Sequence, residues 1–426
     1  MMPRLSRLTE LRLLLFVVLV APAGIAATDL VRTADFARID LQPTLVLAGL
    51  LLAVHLCLIW RCRASDQVIL PVVGVLSGLG LTLVGRLEGA DTLAKQTTWF
   101  AVGTFFLVLV VIFPRSLSRL KDYKYTWAVL GIALMAATLL FGRDLNNSGA
   151  RLWLGYGEIV FQPSEILKVL MVIFLAAYLD EKKELLSSRD YRLAFLRIPS
   201  LPYLGPLAAM WGLSIFILVG QKDLGPTLLL FGVFLTMLYV ASSRAAYVWG
   251  GLGLFALAAY VGFKLFAHVQ TRVEIWVNPW IDPEGKAYQM VQALLALASG
   301  GIVGTGLGYG HPGTIPAVHT DFPFAAIGEE LGLLGTLAVV MLFLILTYRG
   351  LCIALEASNT FQQLLATGLT TTIGLQALII IAGNVKLIPI TGITLPFVSY
   401  GGSSLVANFI VVGLLLRISQ ASGGSR

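Results

Sequence analysis

The 426-residue chain is 57% hydrophobic and only 12% charged, with a mean hydropathy of +0.85, which excludes a soluble globular domain. Apolar runs close to the ~20 residues that cross a bilayer as a helix recur along almost its whole length, and the alternation over about 10 residues that a barrel strand needs is missing. The net charge of +7 does not signal nucleic acid, because the cations collect in short segments on one side of the apolar runs.

In chain order the predicted spans are 12–27, 43–60, 67–86, 97–113, 125–141, 161–180, 203–220, 224–241, 246–265, 321–348, 363–382 and 393–416, which makes an all-α polytopic membrane protein. The first span follows "MMPRLSRLTELR" and leads into "VAPAGIAATD", a fair signal-peptide cleavage site, but further spans follow and it reads as a retained helix. Cations cluster in "RCRASD", "PRSLSRLKDYK" and "DEKKELLSSRDYRLAFLR", which the positive-inside rule assigns to the cytoplasm together with both termini. Cys57, Cys62 and Cys352 fall in or beside helices on that inner side and form neither a disulfide framework nor a zinc spacing. Residues 1–66 read as a two-helix addition to a ten-helix core, 67–420.

Two outer segments stand apart from the short connections: 142–165 and about 266–320. Long loops in a compact membrane domain are functional or disordered, and the second is too rich in Trp, Tyr, Ile and Val for disorder. It reads as a structured cap with a short amphipathic helix, "AYQMVQALLALASG", followed by the glycine-rich "GGIVGTGLGYGHPG".

Several polar residues in these segments invite chemistry. In "FQPSEILKVL", Pro163 and Glu165 suit a first helical turn, whereas Lys168, one turn into an apolar helix, costs on the order of 2.5 to 3.5 kcal/mol by insertion scales unless it is paired. Glu165 is the ready partner, so Lys168 either stabilises that pair or holds an anionic ligand. Arg143 and Arg151 lie in the outer loop, Arg151 beside Trp153, where its planar fork suits phosphate. Lys222 and Asp223 mark a tight turn closed by Gly225 and Pro226. In "HTDFPFAAIGEELGLLG", Thr320 or Asp321 can cap a helix, and Glu329 and Glu330 then sit some two turns inside it, where two carboxylates need partners or a wet cavity. The last outer segment joins Pro389, Gly392 and Pro396 to a run of small residues from Ser399 to Ser404 that permits close helix approach. Asp282, in "WVNPWIDPEGKAYQ", is followed by Pro283 and reads first as a turn residue; the flanking Trp276, Trp280 and Tyr288 suggest a loop packed on the bundle, which would leave the carboxylate partly desolvated, as suits a general base.

The motifs "SGARLW…FQPSEILK", "NPWIDPEGKAYQ", "HTDF…GEELGLLG" and "PITGITLPFVSYGGSS", in this order over residues 67–416, resemble the SEDS family (shape, elongation, division and sporulation), which includes FtsW, RodA and SpoVE. The resemblance implies a ten-helix core and a peptidoglycan glycosyltransferase that polymerises lipid II outside the cytoplasmic membrane of a bacterium. It also implies the undecaprenyl-linked glycan strand as second substrate and a class B penicillin-binding protein as partner. By motif, Asp282 matches the family's essential outer aspartate, Glu165 and Lys168 its "QPSE…K" pair, and Arg151 the arginine of "GAR". Asp321, Glu329 and Ser399 complete the residues expected at the substrate. No ligand cluster for a metal stands out; the cofactor stays open, with a divalent cation to share the pyrophosphate charge as the candidate. The chain departs from the family at Ala317, where a glutamate is common, and at Pro323, which interrupts the usual "DFIF". A flippase for the same lipid-linked precursor and a non-catalytic scaffold for the transpeptidase are the competing readings.

Overall fold

A computed structural model describes residues 7–35, 39–113, 117–144, 151–157, 159–188, 190–193, 196–199, 212, 215–216 and 218–423. The helices are α1 (Leu8–Thr33), α2 (Gln42–Arg61), α3 (Ile69–Glu88), α4 (Ala90–Ile112), α5 (Ser118–Asp122), α6 (Lys124–Phe141), α7 (Pro163–Ser188), α8 (Leu224–Ser242), α9 (Ala245–Leu265), α10 (Ala267–Val277), α11 (Tyr288–Gly300), α12 (Val318–Asp321), α13 (Pro323–Leu355), α14 (Thr360–Asn384) and α15 (Gly402–Gly423). Two short antiparallel hairpins accompany them: β1 (Leu154–Tyr156) with β2 (Ile159–Phe161), and β3 (Asp190–Leu193) with β4 (Leu196–Pro199).

Ten helices among the described residues are long and apolar enough to cross a membrane. Nine of the predicted spans and the latter part of a tenth fall on them. Another, 161–180, is the 26-residue α7, which is set apart by its charged residues. The predicted span 203–220 lies almost wholly outside the described residues. The last predicted span begins too early: α15 starts at Gly402 rather than 393, because Pro389, Gly392 and Pro396 keep the preceding chain irregular.

The bundle is centred on α7, α14 and α15, whose sides are buried along much of their length. Small residues set these approaches: a Cβ on Gly368 of α14 would come within 2.7 Å of Val172 in α7, and one on Gly103 of α4 within 2.8 Å of Phe409 in α15. The first two helices pack on the same body, α1 on α3 where Gly78 meets Ala21, and α2 on α4. At the periphery α9 buries no residue and leans on α8 through stacked Phe231 and Phe255.

Alternation of the helices puts the connections 142–162, 221–223, 266–322 and 385–401 at one end of the bundle, the loop end, opposite the chain termini. The expected amphipathic helix of the long loop is α11; α10 was not expected, since "AHVQTRVEIWV" mixes β-branched and polar residues without a clear period. It forms after a bend at Phe266, as a continuation of α9.

Gly300, Gly304 and Gly332 together form one close joint between this loop and α13. At Gly332 (φ 66°) α13 breaks, and the freed groups find new partners: the carbonyls of Glu329 and Glu330 accept from Thr305 and Gly306 N–H, while Leu333 and Leu334 N–H donate to the carbonyls of Gly301 and Ile302. The segment 301–306 is thus spliced into the helix through four backbone hydrogen bonds. A Cβ on Gly332 would lie 2.3 Å from Gly304 N, and one on Gly300 would lie 1.9 Å from the Gly328 carbonyl oxygen, so only glycine fits.

Candidate active site

Asp282 follows a 3-10 turn, Pro279–Ile281, anchored by the buried Pro279. Asn278 opens this turn by accepting from Trp280 N–H at 3.1 Å. The Asp282 carboxylate then folds over the next residues: Oδ2 accepts from Lys286 N–H at 3.0 Å, and a Cβ on Gly285 would meet Oδ1 at 2.3 Å. The turn "DPEG" therefore works as a mount that holds one carboxylate in a fixed orientation. One expectation fails here. Asp282 is exposed, not desolvated: Trp280 and Ile281 beside it are exposed too, while Trp276 reaches the bundle and donates from Nε1 to the Lys386 carbonyl at 3.2 Å.

Lys168 lies on the opposite side of the choice left open by the sequence. It is buried, pairs with Glu165 at 2.6 Å, and donates to Gln376 Oε1 at 2.8 Å and Asn408 Oδ1 at 3.5 Å. Gln376 continues to the Thr394 carbonyl at 2.8 Å, and Thr394 to Ser404 at 2.7 Å. The network ties α7, α14, α15 and the irregular segment before α15, and it engages the ammonium with neighbours inside the bundle. At the start of α7, Gln162 N–H donates to Ser403 Oγ at 2.9 Å.

A second cluster is less complete. Asp223, read from sequence as a turn residue, does sit in that turn, but its carboxylate is buried. Burial, with the nearby Glu165 carboxylate, pushes its pKa up to about 7. The half-buried Arg272 donates from Nη1 to the Ile390 carbonyl at 2.7 Å and, among the described residues, has no carboxylate within ion-pair distance, although Asp321 and Asp223 both act on it electrostatically. Burial lowers the Arg272 pKa and raises that of Asp321, each partly offset by the other. Between them lies Gly392 (φ 73°), where a Cβ would stand 3.8 Å from Asp321 Oδ2 and 3.9 Å from Arg272 Nη2. Glycine is required there by its backbone, and its missing side chain leaves the guanidinium and carboxylate facing a gap.

Ser399 and Asn384 hold Asp321 in place. Ser399 Oγ donates to the Thr320 carbonyl at 2.6 Å and accepts from Leu395 N–H at 2.8 Å. Asn384, buried at the end of α14, donates to the Asp321 carbonyl at 2.9 Å and accepts from Ala325 N–H. Neither Thr320 nor Asp321 caps α13; its N-cap is Phe322, and Pro323, out of place by the family pattern, fits as the first helical residue. Ala317 takes a left-handed φ of 53° to start α12. Among the described residues Glu329 finds a hydrogen-bond partner, whereas the buried carboxylate oxygens of Glu330 accept no hydrogen bond and rest on an ion pair. Glu329 accepts from His311 N–H at 2.7 Å, and Glu330 pairs with Arg86, which also donates to the Gly308 and Gly310 carbonyls. Arg151 is exposed, beside Gly142 and the first hairpin. Among the described residues no three His, Cys, Asp or Glu converge as a metal site.

Arg272 and Asn384 were missed by sequence reasoning, as were Gln376 and Asn408. The last two carried a signal, a polar amide inside an apolar run. For Arg272 the signal was its place ten residues before Asp282, between aromatic and aliphatic neighbours.

The fold is that of a polytopic membrane protein with a cluster of polar side chains at its loop end. The chain belongs to the FtsW, RodA and SpoVE family, described as cell cycle proteins, whose profile matches residues 36–423. It is 40% identical over 378 residues to the peptidoglycan glycosyltransferase RodA of Mycobacterium tuberculosis, covering 86% of this chain and 81% of that protein. Stage V sporulation protein E of Bacillus subtilis is 38% identical over 371 residues, covering 84% of this chain and 98% of that one. Among solved structures, one chain of a peptidoglycan synthase complex that coordinates polymerization and crosslinking superposes with a TM-score of 0.69 at 27% identity, covering 84% of this chain and 98% of that chain. The rod shape determining protein RodA of Thermus thermophilus superposes at 0.60 with 26% identity, over 84% of this chain and 97% of that one.

Proposed function

We propose that Asp282 is the general base of this peptidoglycan glycosyltransferase. Its carboxylate takes the proton from the GlcNAc 4-hydroxyl of an incoming lipid II as that oxygen attacks the anomeric carbon of the strand's terminal sugar. The bond to undecaprenyl diphosphate breaks, and the diphosphate carries away the electron pair. One displacement turns an α-linked diphosphate into a β-1,4 linkage, and so good a leaving group needs no general acid. What supports the reading is the mount: a carboxylate with one oxygen oriented by Lys286 N–H, exposed where a second substrate's hydroxyl can reach it. Substrate binding supplies the desolvation that the free protein lacks.

Arg272 is the better candidate for the diphosphate than Lys168, whose ammonium is engaged with neighbours inside the bundle. Asp321, held by Ser399 and Asn384, keeps the guanidinium oriented across the gap at Gly392. In this reading Glu165 and Lys168 shape the floor of the site, Arg151 meets the sugar or diphosphate at the rim, and a divalent cation is an optional helper. The distribution of cations supports cytoplasmic termini in the bacterial inner membrane and a loop end that faces outward. The likeness to a chain of a synthase complex supports a class B penicillin-binding protein as partner. Residues 1–66 are read as an addition to the core of residues 67–420.

The test is direct. Purified protein with its transpeptidase partner is given lipid II in detergent, where translocation has no meaning, and glycan strands are measured for the wild type and Asp282→Asn. The expected result is polymer from the wild type alone. An active Asp282→Asn protein would remove Asp282 from the mechanism, and a wild type without polymer would return the flippase and scaffold readings.

A further inference from the structure

Three independent observations single out the chain from α11 to Gly310. First, its backbone is interleaved with α13 at Gly332, nine residues below the start of that membrane-spanning helix, or ~14 Å at 1.5 Å per residue. Second, no charged residue occurs from Ala287 to Gly310, although Glu284 and Lys286 stand just before. Third, its outward side is apolar and bare: Leu295 is 50% exposed, Ile302 67% and Val303 75%. This surface runs without interruption into the exposed Leu333, Leu334 and Leu337 of α13, the side a spanning helix turns to lipid. The opposite side of α11, with Met290, Val291, Ala293 and Ala296, is buried against the bundle.

We propose that Tyr288–Gly310 is a re-entrant membrane element, in which α11 descends beside α13 into one leaflet, Ile302 and Val303 meet acyl chains, and the glycine-rich chain climbs back. Irregular backbone at membrane depth must be bonded within the protein, and the splice at Gly332 provides those bonds. The occupant of the exposed patch is lipid, because the patch is continuous with the lipid side of α13. Water would leave the same patch as an unexplained apolar surface on a loop.

The geometry also has a consequence for the reaction. With 13 residues α11 is ~20 Å long, and its last residue abuts Gly328, ~8 Å below Pro323. Its first turn therefore stands above the start of α13, where Gln289 reaches the Pro316 carbonyl. Asp282, six residues further up, is thereby held at headgroup height, where a lipid-linked diphosphate sugar lies. This last clause rests on the role proposed for Asp282; the insertion itself does not.

The experiment uses the full chain with Cys57, Cys62 and Cys352 replaced by alanine and a single new cysteine, Ile302→Cys or Val303→Cys, carrying an NBD fluorophore. Reconstituted in phosphatidylcholine and phosphatidylglycerol vesicles, either label is expected to lose most of its emission to lipids brominated on the acyl chain and little to aqueous iodide, with the reverse at Glu284→Cys. Iodide quenching at residue 302 or 303 equal to that at 284 overturns the insertion. So does iodide access that disappears only when a transpeptidase is added, which assigns the patch to a protein partner. Bromolipid quenching together with an active Asp282→Asn enzyme keeps the insertion and removes only its link to the base.

Discussion

Both ends of the bundle bury charge, and they treat it differently. At the terminal end Arg7 pairs with Glu10 and donates to the carbonyls of Cys62 at 2.9 Å, Ser65 at 3.2 Å and Asp66 at 3.2 Å, and to Ser65 Oγ at 2.7 Å. Glu10 also meets His55 Nδ1 at 2.5 Å, while Asp66 pairs with Arg349 and accepts from Val68 and Ile69 N–H. At the loop end Arg272 has one hydrogen bond and two carboxylates that act on it from beyond ion-pair distance. A charge whose bonds are complete works as a fastener, here of α1 and α2 to the core. A charge left incomplete beside a gap is poised for a ligand that completes it.

The contrast can be broken in several ways. Asp282→Asn is expected to lower the polymerisation rate by about 10² to 10⁴ with an unchanged thermal midpoint, since the side chain is exposed. A parallel fall in stability would make Asp282 a structural residue. Arg272→Gln is expected to cost about 10²-fold in kcat/KM, with Arg272→Lys in between, whereas equal activity of all three would leave the diphosphate without its cation.

For the terminal end the expectation is reversed. Arg7→Ala removes one of the two partners of the buried Glu10 and the bonds to residues 62–66, and is expected to destabilise by about 3 to 5 kcal/mol, read by thermal unfolding in detergent, with polymerisation per folded molecule retained. A stable but inactive Arg7→Ala protein would defeat the division of labour between the two ends.

Asp223 sharpens the comparison through pH. Its folded pKa, about 7, exceeds the ordinary 3.8, so the folded protein keeps a proton that the unfolded chain releases. Its contribution is complete below the lower value and is lost as pH rises through the higher one. Thermal stability should therefore fall between about pH 4 and 7 in the wild type, and Asp223→Asn should remove that part of the slope. The smallest effect is expected of Ser399→Ala, which strands Leu395 N–H and loosens the link to Thr320, for about 1 to 2 kcal/mol and a modest loss of rate.

Much of this was legible before any coordinates. Apolar runs of bilayer length have one stable form in lipid, so the spans could be read directly from the sequence. What the runs do not reveal is where a helix yields to irregular chain under tertiary control. Residues 393–401 are apolar enough to continue α15, yet Pro396 and the bonds of Ser399 keep them unwound. The break at Gly332 hides inside an apolar pattern for the same reason, since its cause lies thirty residues upstream. Of the site, Glu165 paired with Lys168 was legible from their i, i+3 spacing. Asp282 stood out through its motif, and the aromatic residues beside it misled about its burial because Trp280 faces outward. Arg272 gains its meaning from a segment more than a hundred residues away, and Asp223 from the start of α7, which no local pattern encodes.

The splice in α13 has one more implication. A proline kink can flex, because only one bond is missing; here two carbonyls and two N–H groups have exchanged partners with residues 301–306, and straightening the helix would require all four bonds to swap at once. The two halves of α13 therefore behave as separate rods joined by a rivet rather than as a bent spring.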